Sequence, residues 1–252
     1  MEDFRPAVQA SLNSLGSDTL DLLRRCDLLS TLVRLQLIEQ ASASLNPPAE
    51  LMHKALMNHC QQEKLTDEAA LTNWLEERCI SRNELLHQLS LAIKLSKLAL
   101  DSYGSQAEAR FLQRKEAIDQ VTYSLLRVKD SGIAHELYLQ LEAGEASFES
   151  LASHHSEGPE KSSSGKVGPG SLMRAHPQLR HRLRTAAPGV VMEPILIENW
   201  WVVTRLEERH EASFDEAMRQ RMASELLQDW LRIETKEVVK ALCESKNNQT
   251  EH

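Results

Sequence analysis

Residues 148–172 read FESLASHHSEGPEKSSSGKVGPGSL, and this stretch decides the fold. Its first part has the apolar spacing of an amphipathic helix, so we predict a helix over Ser147–His155. The rest is rich in glycine, serine and proline, which favour turns and loops. A short helix that runs into so marked a loop raises the question of whether the loop is a site.

Three kinds of site fit this loop poorly. A phosphate-binding loop requires Ser or Thr after its Gly-Lys pair, but Val167 follows Gly165-Lys166. His154 and His155 are adjacent, so on a helix they face different directions and make a poor metal site. Ser162–Ser164 lack the GxSxG setting of a nucleophilic serine. We therefore predict no nucleotide, no metal and no other cofactor.

The residues around the loop predict a small α+β domain. DQVTYSLLRV before it is rich in β-branched and aromatic residues and predicts a strand. A helix over Gly132–Glu142 precedes the helix of the quoted stretch, and another is expected near Pro177–Thr185. PILI and WWVVTRL then predict two short strands. The expected order is β-α-α-α-β-β over residues 119–210.

The remaining residues predict a mostly helical domain. Apolar residues recur at helical spacing over 19–43, 49–64, the segment from Asp67, 81–104 and 106–118. A long amphipathic helix follows from Ser213, with Glu216 at capping-box spacing. Such a helix must bury its apolar stripe, so we expect it to return to the N-terminal helices. The predicted domains are 1–118, an inserted domain at 119–210, and 211–252, whose last residues ESKNNQTEH form a polar tail.

Composition narrows the function and the compartment. The net charge of −8 repels phosphate backbones, which disfavours nucleic acid as a partner. The four cysteines form no CxxC pair, and we expect free thiols in a reducing compartment. No run approaches the roughly 20 apolar residues of a membrane span, and the N-terminus lacks the pattern of a secretory signal. We therefore expect a cytoplasmic location without membrane insertion.

Several anchors over residues 120–209 keep the order and spacing of a known domain. They are Gly144-Glu145, Phe148, Leu151-Ala152, Ser156, Gly165, Gly168, Leu183, Pro188-Gly189 and Pro194. With these anchors the segment resembles a parvulin-type peptidyl-prolyl isomerase domain. The flanking helices resemble the helical chaperone module of SurA and PrsA-like bacterial foldases, in which a returning C-terminal helix completes the helical domain.

The resemblance implies positions for the isomerase pocket, an apolar proline slot beside a polar cluster. The first-strand histidine of the family falls on Ser124, the last-strand histidine on Trp201, and the Cys or Asp on Gly158 with Glu157 before it. The implied catalytic residues are therefore Ser124, Glu157 and Trp201. The implied substrate-binding residues are Gly158, Lys166, Arg174, Gln178 and Leu183.

Two functions are consistent with a pocket in which Ser124 and Trp201 stand where the family has histidines. In the first, the protein is a weak isomerase of X-Pro bonds in polypeptide clients, with Trp201 as a wall against proline and Ser124 and Glu157 as a residual polar network. In the alternative, it is an inactive pseudo-isomerase that binds unfolded chains as a chaperone or adaptor, with a link to peptide export. The residues leave open whether the protein is an enzyme, and they do not determine its oligomeric state.

Overall fold

The computed structural model describes the backbone of residues 3–249 and the side chains of residues 3–244. Helices come first in the chain: α1 Arg5–Asn13, α2 Ser17–Arg25, α3 Leu29–Ala41, α4 Ala49–Gln62, α5 Glu68–Glu77, α6 Arg82–Tyr103 and α7 Ala107–Ile118. A mixed segment follows: β1 Gln120–Val128, α8 Ser131–Glu142, α9 Phe148–His155, β2 Lys166–Ser171, α10 Pro177–Thr185, β3 Val191–Ile197 and β4 Trp200–His210. The last helix is α11, Glu216–Gln249. The predicted α+β class is confirmed.

The chain divides into two compact units. One contains residues 1–110 and 215–252, and the other contains residues 111–214. We predicted 119–210 for the inserted domain; the compact unit is longer at both ends. At the two ends of this unit, the rings of Phe111 and Phe214 lie 5.5 Å apart between centroids.

In the helical unit, α11 packs against α3 and α6. Its buried residues Leu227, Leu231, Val238 and Leu242 recur at steps of four and seven residues, which places them on one stripe. The helix starts differently from the prediction, because the Asp215 side chain, not that of Ser213, accepts the amide of Met218 at 2.7 Å. It also runs into the predicted polar tail as far as Gln249, and residues 250–252 lie outside the described residues.

The helix predicted over residues 19–43 is two helices. Asp27 has a φ of 57°, the left-handed conformation that ends a helix. The amide of Leu28 donates to the Leu23 carbonyl at 2.8 Å, and the amide of Asp27 donates to the Arg24 carbonyl at 3.1 Å. This pair of bonds is a Schellman motif, so α2 stops before α3 begins.

Helix α1 was not predicted, because its nine residues bury few apolar side chains. Among the described residues, no helix has both the length and the apolar character to cross a bilayer.

The second unit contains an antiparallel sheet in the order β2-β1-β4-β3. Its strand β2 was predicted as part of the loop, since glycine and proline are poor strand formers. At Gly168 φ is 110°, and a Cβ there would lie 2.5 Å from the Val121 carbonyl oxygen, so only glycine fits against β1. Pro169 is tolerated because β2 is an edge strand.

The two faces of the sheet have separate cores. One face packs on α8 and α9; we call it the α8/α9 face. It is formed by Leu126, Val128, Val203, Ala134, Leu137, Leu141, Phe148, Leu151 and Ala152. The other packs on α10 and the short 3₁₀ helix Leu172–Arg174 before it, and we call it the α10 face. It is formed by Val121, Leu125, Val202, Leu206, Ile197, Leu172, Ala175, Leu179 and Leu183.

The packing of α11 generates a prediction with a matched control on the same helix. Leu231→Ala should lower the free energy of unfolding by about 2–5 kcal/mol, because Leu231 is fully buried and its removal leaves a cavity. Ile233→Ala should change it by less than about 0.5 kcal/mol, since that side chain is exposed. Urea denaturation of both variants measures the difference. Equal losses would contradict the assigned packing of α11.

Candidate functional site

Ser124 lies on the side of β1 away from α10. Its hydroxyl is buried and donates to the Glu207 carboxylate, which also accepts from Arg205 Nε at 2.8 Å. Its cross-strand partners are Lys166 on β2 and Arg205 on β4. The structure therefore brings Ser124 and Lys166 together as cross-strand neighbours. The Ser124 hydroxyl is already hydrogen-bonded to Glu207.

Trp200 and Trp201 face opposite sides of the sheet, as neighbours on a strand must. Trp201 pairs with Val128 and packs on the core of the α8/α9 face. Trp200 packs on the core of the α10 face, and Lys129 Nζ lies 5.5 Å from its ring centroid. Trp201, the predicted wall of the pocket, is thus on the same side as Ser124, and Trp200 is on the other.

Glu157 and Gly158 form the turn after α9. The Glu157 amide donates to the Arg127 carbonyl at 2.9 Å, and its Oε1 accepts the Lys129 amide at 3.2 Å, so the turn is tied to the end of β1. A Cβ on Gly158 would lie 2.4 Å from Arg127 Nε and from the Glu160 carboxylate. Glycine stands here because the side chains of Arg127 and Glu160 occupy the space beside it.

The three predicted substrate-binding residues near α10 are in different environments. Arg174 and Gln178 are exposed, whereas their neighbours Ala175 and Leu179 are buried against the sheet. Leu183 is 0% exposed, which makes it a core residue with no surface left for a ligand.

The structure therefore distributes the predicted site residues over both sides of the sheet. Ser124, Lys166 and Trp201 are on the side of α8 and α9, and Leu183 is on the α10 face. The strand residues that do face α10 next to Ser124 and Trp201 are Leu125 and Val202. A shift of one residue along a strand moves a side chain to the opposite face. The alternation of Val121, Tyr123 and Leu125 with their polar neighbours is the signal in the sequence that could have fixed the face.

The α10 face has a polar end that sequence reasoning missed. Arg127 follows Leu125 by two residues and pairs across the sheet with Val202. Its Nε donates to Glu160 Oε1 at 3.0 Å, and its Nη2 lies 2.8 Å from Oε2. The Ser156 hydroxyl also donates to Oε1, at 2.6 Å. The Glu160 side chain is 3% exposed and that of Arg127 is 31% exposed, so the carboxylate is buried behind a guanidinium that reaches the surface.

Tyr123 adds a hydroxyl to the same face. Burial raises its pKa, and the nearby Glu160 carboxylate raises it further, while Arg127 opposes the change. The phenol is therefore a neutral hydrogen-bond donor at neutral pH. Thr204, directly across from Leu125, has a buried hydroxyl without a hydrogen-bond partner among the described residues.

This arrangement is a buried apolar core with half-buried hydrogen-bond donors at its end. Leu125 and Val202 offer no group that titrates, and Tyr123 and Arg127 act as donors. Within the described residues, no cluster of three or more His, Cys, Asp or Glu side chains could hold a metal ion. The half-buried Tyr123, Arg127 and Trp200 keep part of their surface free for a ligand.

In the comparison with known sequences, residues 127–208 match the model of the Rotamase family, described as the PPIC-type PPIase domain. Chaperone SurA of Shewanella sp. strain MR-7 is 29% identical over 143 residues, which cover 49% of this chain and 33% of that protein. Chaperone SurA of Colwellia psychrerythraea is 31% identical over 88 residues, 35% of this chain and 20% of its own length. The matches thus span a third or less of these curated relatives.

Comparison with solved structures extends the likeness in fold to most of the chain. The crystal structure of the peptidylprolyl isomerase PrsA from Bacillus cereus matches 89% of this chain and 86% of its own, with a TM-score of 0.50 and 17% identity. The helical unit and the inserted α+β unit therefore share the fold of that protein.

The pair of Arg127 and Glu160 generates a prediction about stability. Glu160→Gln should lower the free energy of unfolding by roughly 1–3 kcal/mol, because it removes the charge that faces Arg127 in a buried position. Glu157→Gln is the control and should cost less than about 0.5 kcal/mol, since it keeps an oxygen that can accept the Lys129 amide at an exposed position. Urea denaturation checks both, and equal effects would contradict the assigned role of Glu160.

Proposed function

Because residues 127–208 form a PPIC-type rotamase domain, we propose that the protein is a folding factor that slowly isomerises X-Pro bonds in polypeptide clients. That family match carries the proposal. The SurA chaperones to which the chain is similar support unfolded polypeptide as the class of client. The predicted cytoplasmic location and the link to peptide export stay predictions.

The reaction requires rotation about an amide bond with a barrier of about 18–20 kcal/mol. A catalyst must bind the twisted amide better than either planar form. In the twisted form the lone pair of the prolyl nitrogen is no longer in resonance with the carbonyl, so it becomes a hydrogen-bond acceptor. A donor that reaches this nitrogen stabilises the transition state and leaves the ground state unaffected.

In this protein the half-buried residues beside the core of the α10 face supply the binding surface. The Tyr123 hydroxyl is the neutral donor for the twisted amide, and Trp200, further along β4, contacts a flanking part of the client segment. Arg127 hydrogen-bonds the carbonyl of a neighbouring peptide group, with Glu160 holding its guanidinium in place. The catalytic roles of Ser124, Glu157 and Trp201 stay predictions.

Turnover is slow because the strands supply few polar groups. Leu125 and Val202, the strand residues between the donors, are buried and apolar and offer no polar group to the amide. One well-placed donor is worth about 10²–10³ in rate. With Tyr123 as the main donor, catalysis rests on a single group of this kind.

A second function is favoured by the same apolar residues. If Tyr123 does not reach the amide, the α10 face still binds proline-containing segments, and the protein then acts as a holdase. This is the pseudo-isomerase alternative, and stoichiometry separates it from catalysis.

The first test is a proline-limited refolding reaction at increasing amounts of the protein. We expect acceleration at well below one equivalent, because a catalyst turns over. Tyr123→Phe should reduce the acceleration roughly tenfold or more, since it removes the donor and keeps the ring. No acceleration, with a yield that rises only near one equivalent, would overturn catalysis and support the holdase.

The second test compares the adjacent tryptophans. Trp200→Ala should weaken binding of a proline-containing peptide roughly tenfold, because it removes an aromatic contact from the α10 face. Trp201→Ala should leave affinity unchanged and lower the free energy of unfolding by about 2–4 kcal/mol, as expected for a half-buried core residue. Fluorescence anisotropy and urea denaturation measure the two quantities. The reverse pattern would place the site on the α8/α9 face.

A further inference from the structure

The unit of residues 111–214 contains a cavity of about 670 Å³ away from Trp200 and Arg127. One wall is formed by α7, with Leu112 and Lys115. The opposite wall is the 3₁₀ helix and α10, with Met173 and Arg180, and Arg209 at the end of β4 closes it. The volume is within the range of roughly 300–1,000 Å³ typical of ligand sites.

The cavity is positively charged in a chain whose net charge is −8. Four Lys or Arg side chains and two carboxylates line it, which leaves a charge of +2. Lys115 pairs with Asp119 at 3.0 Å, and Arg184 pairs with Glu116 at 3.2 Å. These two pairs account for both carboxylates.

The other two guanidiniums have only neutral partners. Arg209 donates to the carbonyls of Leu183 and Arg184, each at 3.0 Å. Arg180 donates to the carbonyls of Met173 and Ala175, and its buried Nε has no hydrogen-bond partner within residues 3–249. No carboxylate among those residues forms an ion pair with either arginine. Both charges are therefore available to an anionic group in the cavity.

The same cavity exposes large apolar side chains. Leu112 is 63% exposed and Met173 is 48% exposed. Apolar surface next to uncompensated cations fits a ligand that has carboxylates and bulky apolar groups close together. A nucleic acid has the charge and lacks such apolar groups, and the net charge of the chain repels it.

We propose that this cavity binds an acidic and apolar segment of the client polypeptide, separate from the X-Pro bond. Arg180 and Arg209 bind the carboxylates, and Leu112 and Met173 contact the apolar side chains. The identification of the ligand as a client segment rests on the proposed folding function. A second contact of this kind would hold the client while its proline leaves and returns to the α10 face.

The test uses the full chain and a fluorescent, proline-free peptide in which Glu and Leu are mixed. Wild type should bind it, more weakly as salt is raised, and should not bind the same peptide with Lys in place of Glu. Arg180→Gln and Arg209→Gln should each weaken binding about five- to tenfold. Leu112→Ser should also weaken it, and this exposed position leaves the fold intact.

Arg182→Gln is the matched control, since Arg182 is on α10 and outside the cavity lining. It should bind the peptide like wild type. Wild-type affinity in all three cavity variants, or equal affinity for the Glu and Lys peptides, would overturn the proposal. Displacement of the peptide by an equal concentration of inorganic phosphate would overturn it too, because the apolar contacts would then add nothing.

Refolding assays on the same proteins separate this proposal from the proposed function. Loss of peptide binding in the cavity variants supports the cavity site even if wild type accelerates no refolding. Unchanged binding in those variants overturns the cavity site even if refolding is accelerated and the isomerase proposal stands.

Discussion

The alternation of side chains along β1 is the constraint on which the site depends. This strand pairs with β2 on one side and β4 on the other, so its position in the sheet is fixed by two ladders of hydrogen bonds. Tyr123, Leu125 and Arg127 must then face α10, and Ser124 and Leu126 must face away. The choice of residues that can meet a ligand follows from this pairing.

The pair of Arg127 and Glu160 links that face to the loop after α9. A carboxylate that is 3% exposed is costly to bury unless it is paired and hydrogen-bonded. Here Ser156 and Arg127 both donate to the Glu160 carboxylate. Gly158, which has no side chain, leaves space for the contact between Arg127 and Glu160. The loop after α9 is therefore held against β1 by an ion pair and hydrogen bonds. Its position next to the α10 face depends on these contacts.

The sequence predicted the elements whose signals are local. Helices were predicted from Asp67 and over 81–104; the Asp67 side chain caps α5, and a capping box of Ser81 and Glu84 starts α6. Strand β2 could not be predicted this way, because its Gly and Pro residues become a strand only through pairing with distant β1. The fold class followed from the order of elements, which tolerates such an omission.

The site was harder to predict, because a motif gives the order of residues along the chain. It does not say on which face of the sheet each side chain lies. Carrying pocket positions onto Ser124, Trp201, Arg174 and Gln178 placed each one residue from a side chain that faces the α10 core, namely Leu125, Val202, Ala175 and Leu179. On a strand, one residue decides the face, and a motif alone does not say which face a ligand uses. The ion pair was missed because its residues are distant in sequence.

The most direct test of this account is to map where a proline-containing peptide binds, from the changes in backbone amide NMR signals of the labelled protein. We expect the largest changes at Tyr123, Arg127 and Trp200, together with the Gly158 turn. Changes concentrated at the α8/α9 face, around Tyr138 and Leu151, would contradict the assignment of the α10 face as the binding surface.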